Sequence, residues 1–317
     1  MDQNVDRREF LKKSMIASGA AGLALASFEE QALVAHAAES KGSPAKDASG
    51  AKMPMGKIGS LQVSRLFCGG NLIGGWAHSR DLIYVSKLVK AYHTDEKIFE
   101  TFELAEQHGI NTTLTNPAAA DVINRYWNER GGKIQWFSDC AMGGDLMGGI
   151  KISIDKGAHA VYAQGGIADR LVKEGKVEEI GKAMEYVKKQ NVLFGIGAHK
   201  LETVKGCVDA GLDPDFWVKT LHPTDYWSAD LQPENDNIYC WQPEETIAYM
   251  KQIRKPWIAF KVMAAGAIAP KRAFQYAFEH GADFVCAGMF DFQLVEDAII
   301  ARGILAGPGS RERPWVA

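Results

Sequence analysis

The sequence predicts a single-domain (β/α)8 barrel, the TIM-barrel class of α/β fold. Three observations carry that expectation. Eight short β-rich runs alternate with longer amphipathic stretches across residues 57–317. Several of those runs are apolar on both faces, as a strand in a covered parallel sheet must be. Helix after helix stops at a glycine placed just before the next strand.

The strand runs begin near Val63 (VSRLFCGG), Ile110 (INTTLT), Lys133 (KIQWFSD), Ala158 (AHAVYAQ), Val192 (VLFGIGAH), Asp215 (DFWVKTLH), Trp257 (WIAFKVMAAG) and Ala282 (ADFVCAGM). Between the first two, Thr94 is placed to N-cap a helix with Asp95 and Glu96 in its first turn. Ile98, Phe102 and Ala105 follow at helical spacing. Gly109, Gly157, Gly211 and Gly281 mark helix ends. A doubly wound open sheet competes but usually has fewer strands.

The composition, 46% apolar and 24% charged, excludes collagen-like, coiled-coil and wholly disordered chains. With 36 Lys+Arg against 39 Asp+Glu there is no basic field for nucleic acid. After residue 37 no run reaches the roughly 18 apolar residues of a membrane span. The five cysteines, Cys68, Cys140, Cys207, Cys240 and Cys286, are widely spaced without C-x-x-C and read as single buried thiols.

Residues 1–37 read as an export signal. Asp6-Arg7-Arg8-Glu9-Phe10-Leu11-Lys12-Lys13 is a twin-arginine stretch, with Asp6 where Ser or Thr is more usual. An apolar run from Met15 to Ser27 follows, and Ala35-His36-Ala37 offers a cleavage site. Periplasmic or other export by the twin-arginine machinery is expected. That route carries folded proteins, often with a bound cofactor or metal. Residues 38–56 read as a flexible linker before the barrel at 57–317; residues 38–52 contain no Ile, Leu, Val or Phe.

The opening, Val63-Ser64-Arg65-Leu66 through Gly69-Gly70-Asn71-Leu72-Ile73-Gly74-Gly75, resembles the first strand of aldo/keto reductases. So do Thr94-Asp95-Glu96-Lys97 and Gly109-Ile110-Asn111. Gly288-Met289-Phe290-Asp291 to Val295-Glu296-Asp297 is similar to that family's closing unit. The resemblance implies the barrel fold and NADP(H)-linked carbonyl reduction. The family's Asp, Tyr, Lys, His tetrad does not carry over. Leu114 stands near the end of strand two, the next turn Asn116-Pro117-Ala118-Ala119 has no tyrosine, strand three ends Ser138-Asp139, and strand four ends at Gln164.

Barrel chemistry sits at the C-terminal strand ends, which here offer Asn71, Asn116, Asp139, Gln164, His199, His222, Lys261 and Asp291. His199 and His222, with Asp291, are candidate ligands for a divalent metal. The pair also resembles amidohydrolase sites, whose His-x-His on strand one is missing here. Lys219 and Lys261 resemble the lysines of Schiff-base aldolases; with His222 and Asp139 they are the catalytic candidates. Gly266 and Gly288 lie in small-residue loops able to approach a cofactor phosphate. Asn71, Trp76, His78, Arg80, Gln164 and Trp227 are substrate-binding candidates. The two long loops, 71–94 and 223–243, mix aromatic with polar residues, apt for a sugar. Each of these residues also has a plain structural reading: core packing, helix capping, loop anchoring or local pairing.

Three functions compete. One is a lyase, isomerase or hydrolase acting on a small carbonyl or sugar-derived substrate, assisted by metal or lysine. The second is a nicotinamide-dependent oxidoreductase. The third is a non-catalytic barrel that binds sugar or another protein. On the first, His199, His222, Lys219, Lys261, Asp139 and Asp291 should share one cavity under the loops of Trp76 and Trp227. That requires strand six to end before His222, because Lys219 and His222 have opposite parity.

Overall fold

The computed structural model describes residues 52–79, 82–226, 228–229 and 239–317. The expected signal at 1–37, the linker up to residue 51, and Arg80, Asp81, Trp227, Asp230 and Asn235 lie outside the described residues.

Two short strands, β1 (Met55–Ile58) and β2 (Leu61–Ser64), pair as an antiparallel hairpin. The barrel follows: β3 (Leu66–Gly69), β4 (Thr112–Thr115), β5 (Gln135–Ser138), β6 (Ala160–Ala163), β7 (Leu193–Ala198), β8 (Phe216–Thr220), β9 (Trp257–Phe260) and β10 (Phe284–Ala287). All neighbours are parallel, and the sheet closes in the order β10-β3-β4-β5-β6-β7-β8-β9. Each of the eight expected runs contains one barrel strand.

The outer layer consists of α1 (Val85–Tyr92), α2 (Asp95–Gln107), α3 (Ala120–Arg130), α4 (Leu146–Asp155), α5 (Gly165–Lys173), α6 (Val177–Lys189), α7 (Leu201–Asp209), α8 (Pro243–Met250), α9 (Pro270–Glu279) and α10 (Asp291–Ala306). Thr94 caps α2 as its sequence suggests, its side chain accepting the Lys97 N–H at 3.3 Å. The four expected terminating glycines all have positive φ, between 74° and 103°.

Strand alternation divides the apolar residues into two cores. Phe67, Leu114, Phe137, Tyr162, Phe216, Val218, Ile258 and Phe284 fill the barrel. Phe67 meets Phe137 and Phe284 edge-on at 5.4 and 5.5 Å, and Phe137 meets Phe216 at 5.4 Å. β7 makes room for these rings: a Cβ on Gly195 would fall 2.4 Å from the Phe216 ring. The opposite parity, including Trp136, Val161, Ile196, Trp217 and Ala259, packs against the helices.

Two features build the barrel floor. Met53 is buried and β1 begins at Met55, so ordered chain starts within the segment read as a linker ending at residue 56. Ile58 and Val63 of the hairpin close the bottom of the inner core. The segment after α10 returns to the same floor. Arg313, almost fully buried, bonds Asp283 at 2.6 Å and the carbonyls of Gly281, Ile253 and Lys255. Arg311 also bonds Asp283, and the Val316 N–H donates to it. Arg65 donates to the carbonyls of Asp283 and Ala317 and lies 4.1 Å from the Trp315 ring.

Candidate functional site

Residues 195, 197 and 199 share the inward parity of β7, so His199 emerges at the mouth just past the strand end. Asp169 on α5 fixes it there. One carboxylate oxygen accepts from His199 Nδ1 at 2.9 Å and from the His199 backbone N–H at 3.2 Å. The other accepts from the Thr203 hydroxyl at 2.6 Å and the Lys200 N–H at 3.3 Å. Burial raises the Asp169 pKa, but the bonds from His199 and Thr203 outweigh it and leave the carboxyl below its ordinary value. With Nδ1 committed to a carboxylate, Nε2 is the nitrogen left for proton exchange.

The His199 ring packs against Tyr239 at 5.6 Å and Phe260 at 5.4 Å. Over the Tyr239 ring, 3.5 Å from its centroid, lies the Lys261 ammonium. Lys261 Nζ is 3.4 Å from His78 Nε2, and the Tyr239 hydroxyl is 3.3 Å from His78 Nδ1. His199, Tyr239, Lys261 and His78 thus form one cluster spanning the ends of β7 and β9 and the loop after β3. Lys261, Ala264 and Ala265 have φ of 56°, 47° and 56°, so the loop carrying the lysine holds side-chain-bearing residues in the left-handed region. Such strain concentrates at ligand-contacting loops.

Asp139 follows β5, which lies opposite β9 in the closed sheet. Its Oδ1 accepts the Ala141 N–H at 2.8 Å. Burial pushes its carboxyl up to about 7, against an ordinary value near 3.9. Cys140, next in the chain, has φ 55° and is held by Ser138 and Ser153. The Tyr162 phenol is also pushed well up, by burial first and then by Asp139. The mouth therefore has a cationic and imidazole side at β7–β9 and a carboxyl side at β5.

Lys219 does not join the mouth. Phe216 and Val218 occupy the inward positions of β8, which turns Lys219 to the helix side. The side chain is 1% exposed. Its ammonium donates to the His199 carbonyl at 2.8 Å, the Thr220 carbonyl at 3.1 Å and the Thr220 hydroxyl at 2.7 Å. Burial lowers its pKa to about 8. The lysine staples the end of β7 to β8 from behind, so its catalytic reading gives way to a structural one.

β8 does end at Thr220, two residues before His222, but His222 is committed elsewhere. Its Nδ1 donates to the Pro223 carbonyl at 2.9 Å, and Nε2 accepts the Tyr239 and Cys240 N–H groups, each at 3.0 Å. A carbonyl only accepts and an amide only donates, so these partners fix the neutral tautomer. Burial lowers the pKa to about 4. His222 ties the chain at 239–240 back to the strand end.

Asp291 opens α10 and bonds the Tyr92 hydroxyl at 2.6 Å and Lys97 at 3.1 Å. The expected metal set therefore does not fit a metal. Both His222 nitrogens are engaged and Asp291 is ion-paired, which leaves His199 Nε2 without the two partner ligands expected for it. Among the described residues no three His, Cys, Asp or Glu side chains are grouped to hold a metal ion.

The other expected residues divide. His78 belongs to the cluster. Trp76 and Asn71 are exposed on the same loop. Gln164 caps α5 through its side-chain oxygen, which accepts the Ile167 N–H. The two phosphate-loop glycines differ. α10, behind Gly288, begins with the Asp291 carboxylate, which repels phosphate. α9, behind Gly266 (φ 88°), has no acid in its first turn. Sequence reading missed Asp169, which lies 30 residues from His199, and counted Tyr239 only among the aromatic rings of the second long loop. No local motif marks either one.

No protein-family model matches the chain, and no curated protein sequence is significantly similar to it. Solved structures do match. A Pseudomonas aeruginosa protein assigned to the aldo-keto reductases superposes with a TM-score of 0.55 at 17% identity, covering 83% of this chain and 99% of its own. An aldo-keto reductase from Bacillus halodurans, in its holo form, superposes with a TM-score of 0.52 at 12% identity, covering 82% and 94%. The chain therefore has the barrel fold of the aldo/keto reductases, the family that its two ends resemble.

Proposed function

We propose that the protein is an enzyme that moves protons on a small carbonyl or sugar-derived substrate, in the manner of an isomerase or lyase. The Asp169–His199 pair carries this reading. A carboxylate that fixes an imidazole by one nitrogen makes the other a positioned acid–base group. Lys261 and the Tyr239 hydroxyl are placed to donate to a substrate oxygen, where negative charge develops when a proton leaves the adjacent carbon. Asp139, across the mouth and poised near neutrality, is suited to returning the proton. Trp76, exposed on the loop after β3, supplies a face for the C–H side of a sugar. Export by the twin-arginine route belongs to the same proposal and rests on the sequence of residues 1–37.

The test is deuterium exchange. Aldoses, ketoses and 2-oxo acids are incubated with the protein in D2O, and loss of the α-proton signal is followed by NMR. Exchange with at least one class is expected, falling roughly 100-fold or more in His199→Gln. Exchange that His199→Gln leaves unchanged overturns the reading.

A second reading, NADP(H)-linked carbonyl reduction, is favoured by the fold likeness and by the presence of a tyrosine, a lysine, histidines and an aspartate at this mouth, although on other strands than in that family. An NADPH fluorescence titration decides it. Saturable binding with aldehyde-dependent oxidation supports reduction, and no binding removes it.

A further inference from the structure

We propose that the outer face of α1 docks on an anionic lipid surface. The proposal is independent of the reaction assigned to the mouth. Tyr84, Leu88 and Tyr92 follow one another at intervals of four and form a single stripe about 12 Å long. Leu88 is 63% exposed. Phe292, also exposed, continues the stripe 6.4 Å from the Tyr92 ring, and Leu82 and Ile83 lead into it, with Ile83 92% exposed. Val89 is the only buried residue of α1. Single exposed apolar side chains are ordinary, but a contiguous set of this kind marks an interaction surface.

Charge selects the partner. Residues 82–93 contain Lys87 and Lys90 and no Asp or Glu, in a chain whose net charge is −3. The nearest carboxylate at the Phe292 end, Asp291, is neutralised by Lys97 at 3.1 Å and bonded by Tyr92. A second copy packing face to face on this helix would bring Lys87 and Lys90 against their own equivalents, like charge against like charge. Lys87, four positions after Ile83 and three after Tyr84, borders the stripe and meets the anionic headgroups, while Lys90, its stem over Gly75 on the other flank, adds to the local positive field. Tyrosine, leucine and isoleucine partition into the headgroup–acyl boundary. The stripe spans one short helix and no helix of the described residues is long and apolar enough to cross a membrane. The helix would therefore lie in the surface.

All five cysteines are buried, so a Leu88→Cys variant of the full chain can carry an environment-sensitive fluorophore on this face alone. The probes are vesicles of phosphatidylcholine, with and without phosphatidylglycerol. A blue shift is expected with the anionic vesicles and little with the neutral ones. In a Lys87→Glu, Lys90→Glu background that melts like the parent, the affinity should fall roughly tenfold or more. Because the signal comes from α1 itself, membrane binding by another segment does not imitate it. The proposal fails if neither vesicle shifts the label, or if both vesicles shift it equally. It also fails if the charge reversal has no effect, or if the shift arises without lipid as a concentration-dependent dimer.

Discussion

Asp169 holds both the ring and the backbone of His199. One carboxylate oxygen accepts from Nδ1 at 2.9 Å and from the backbone N–H at 3.2 Å. The same group therefore sets where the imidazole sits, which way it turns and which tautomer it adopts.

Replacing Asp169 with asparagine keeps the shape but permits the wrong tautomer. Turnover should fall roughly 100- to 10,000-fold, with a much smaller change in melting temperature. The pH dependence has a definite sign. The folded carboxyl titrates below its unfolded value of about 3.9, so its stabilisation is complete above that pH and is lost as the pH falls through the folded value. Melting curves between pH 2 and 6, of roughly that span, should show this acid-side loss in the parent and not in Asp169→Asn.

His222 should behave as a structural residue. Its loss leaves two buried amides, those of Tyr239 and Cys240, without their acceptor. His222→Ala should destabilise by about 2–4 kcal/mol. The folded pKa of about 4 lies below the unfolded value near 6.5. The unfolded chain thus takes up the proton first, and stability falls as pH drops through that window. Denaturant titrations of parent and variant at neutral pH and near pH 4.5 measure both effects. A variant as stable as the parent would show the latch to be unimportant.

Asp139 carries the opposite sign. Its folded pKa of about 7 is above the unfolded value. Its ionisation therefore costs stability that is absent below about pH 4 and complete above about pH 7. Asp139→Asn should be more stable than the parent at pH 8, by about 1–3 kcal/mol after allowance for its partly open side. It should lose activity at the same time. A stability gain that is equal at pH 4 and pH 8 would dissociate the carboxyl from the effect.

The two lysines should differ in reactivity. Borohydride trapping with a small aldehyde should tag Lys261 at the mouth and spare Lys219, which is 1% exposed. Peptide mass mapping reads the outcome. Preferential labelling of Lys219 would mean that the helix layer opens where the structure packs it closed.

The barrel strands were legible because a buried parallel strand is apolar on both faces and bounded by turn residues. The same property hid the direction of Lys219. With Phe216, Trp217 and Val218 all apolar, β8 shows no alternation from which to decide inside from outside. The fixed parity of Phe216 in the inner core decides it. His199 was legible as a strand-end residue, but its partner was not. Asp169 is brought to it by the packing of α5 against β7, and nothing in GGIAD announces that contact. His222 looked like a ligand because its two amide donors, 17 and 18 residues further on, are backbone groups that no side chain records. The floor was missed for another reason. Nothing in RERPW names a partner, yet Arg313 is buried against the Asp283 carboxylate just before β10.

That floor has a consequence for the order in which the molecule is assembled. Arg65, at the start of the first barrel strand, donates to the Ala317 carbonyl across 252 positions of sequence. The Asp283 carboxylate accepts the Trp257 N–H, but the cations that bond it, Arg311 and Arg313, both follow it in the chain. During synthesis, half-barrels emerging from the ribosome carry neither the closing pair β10–β3 nor the seal beneath it. Closure waits for the segment through Ala317, and the loop it must close is nearly the whole barrel. Until then the N-terminal hairpin covers the inner core from below, but the β3 and β10 edges stand unpaired and the sheet is open along that seam.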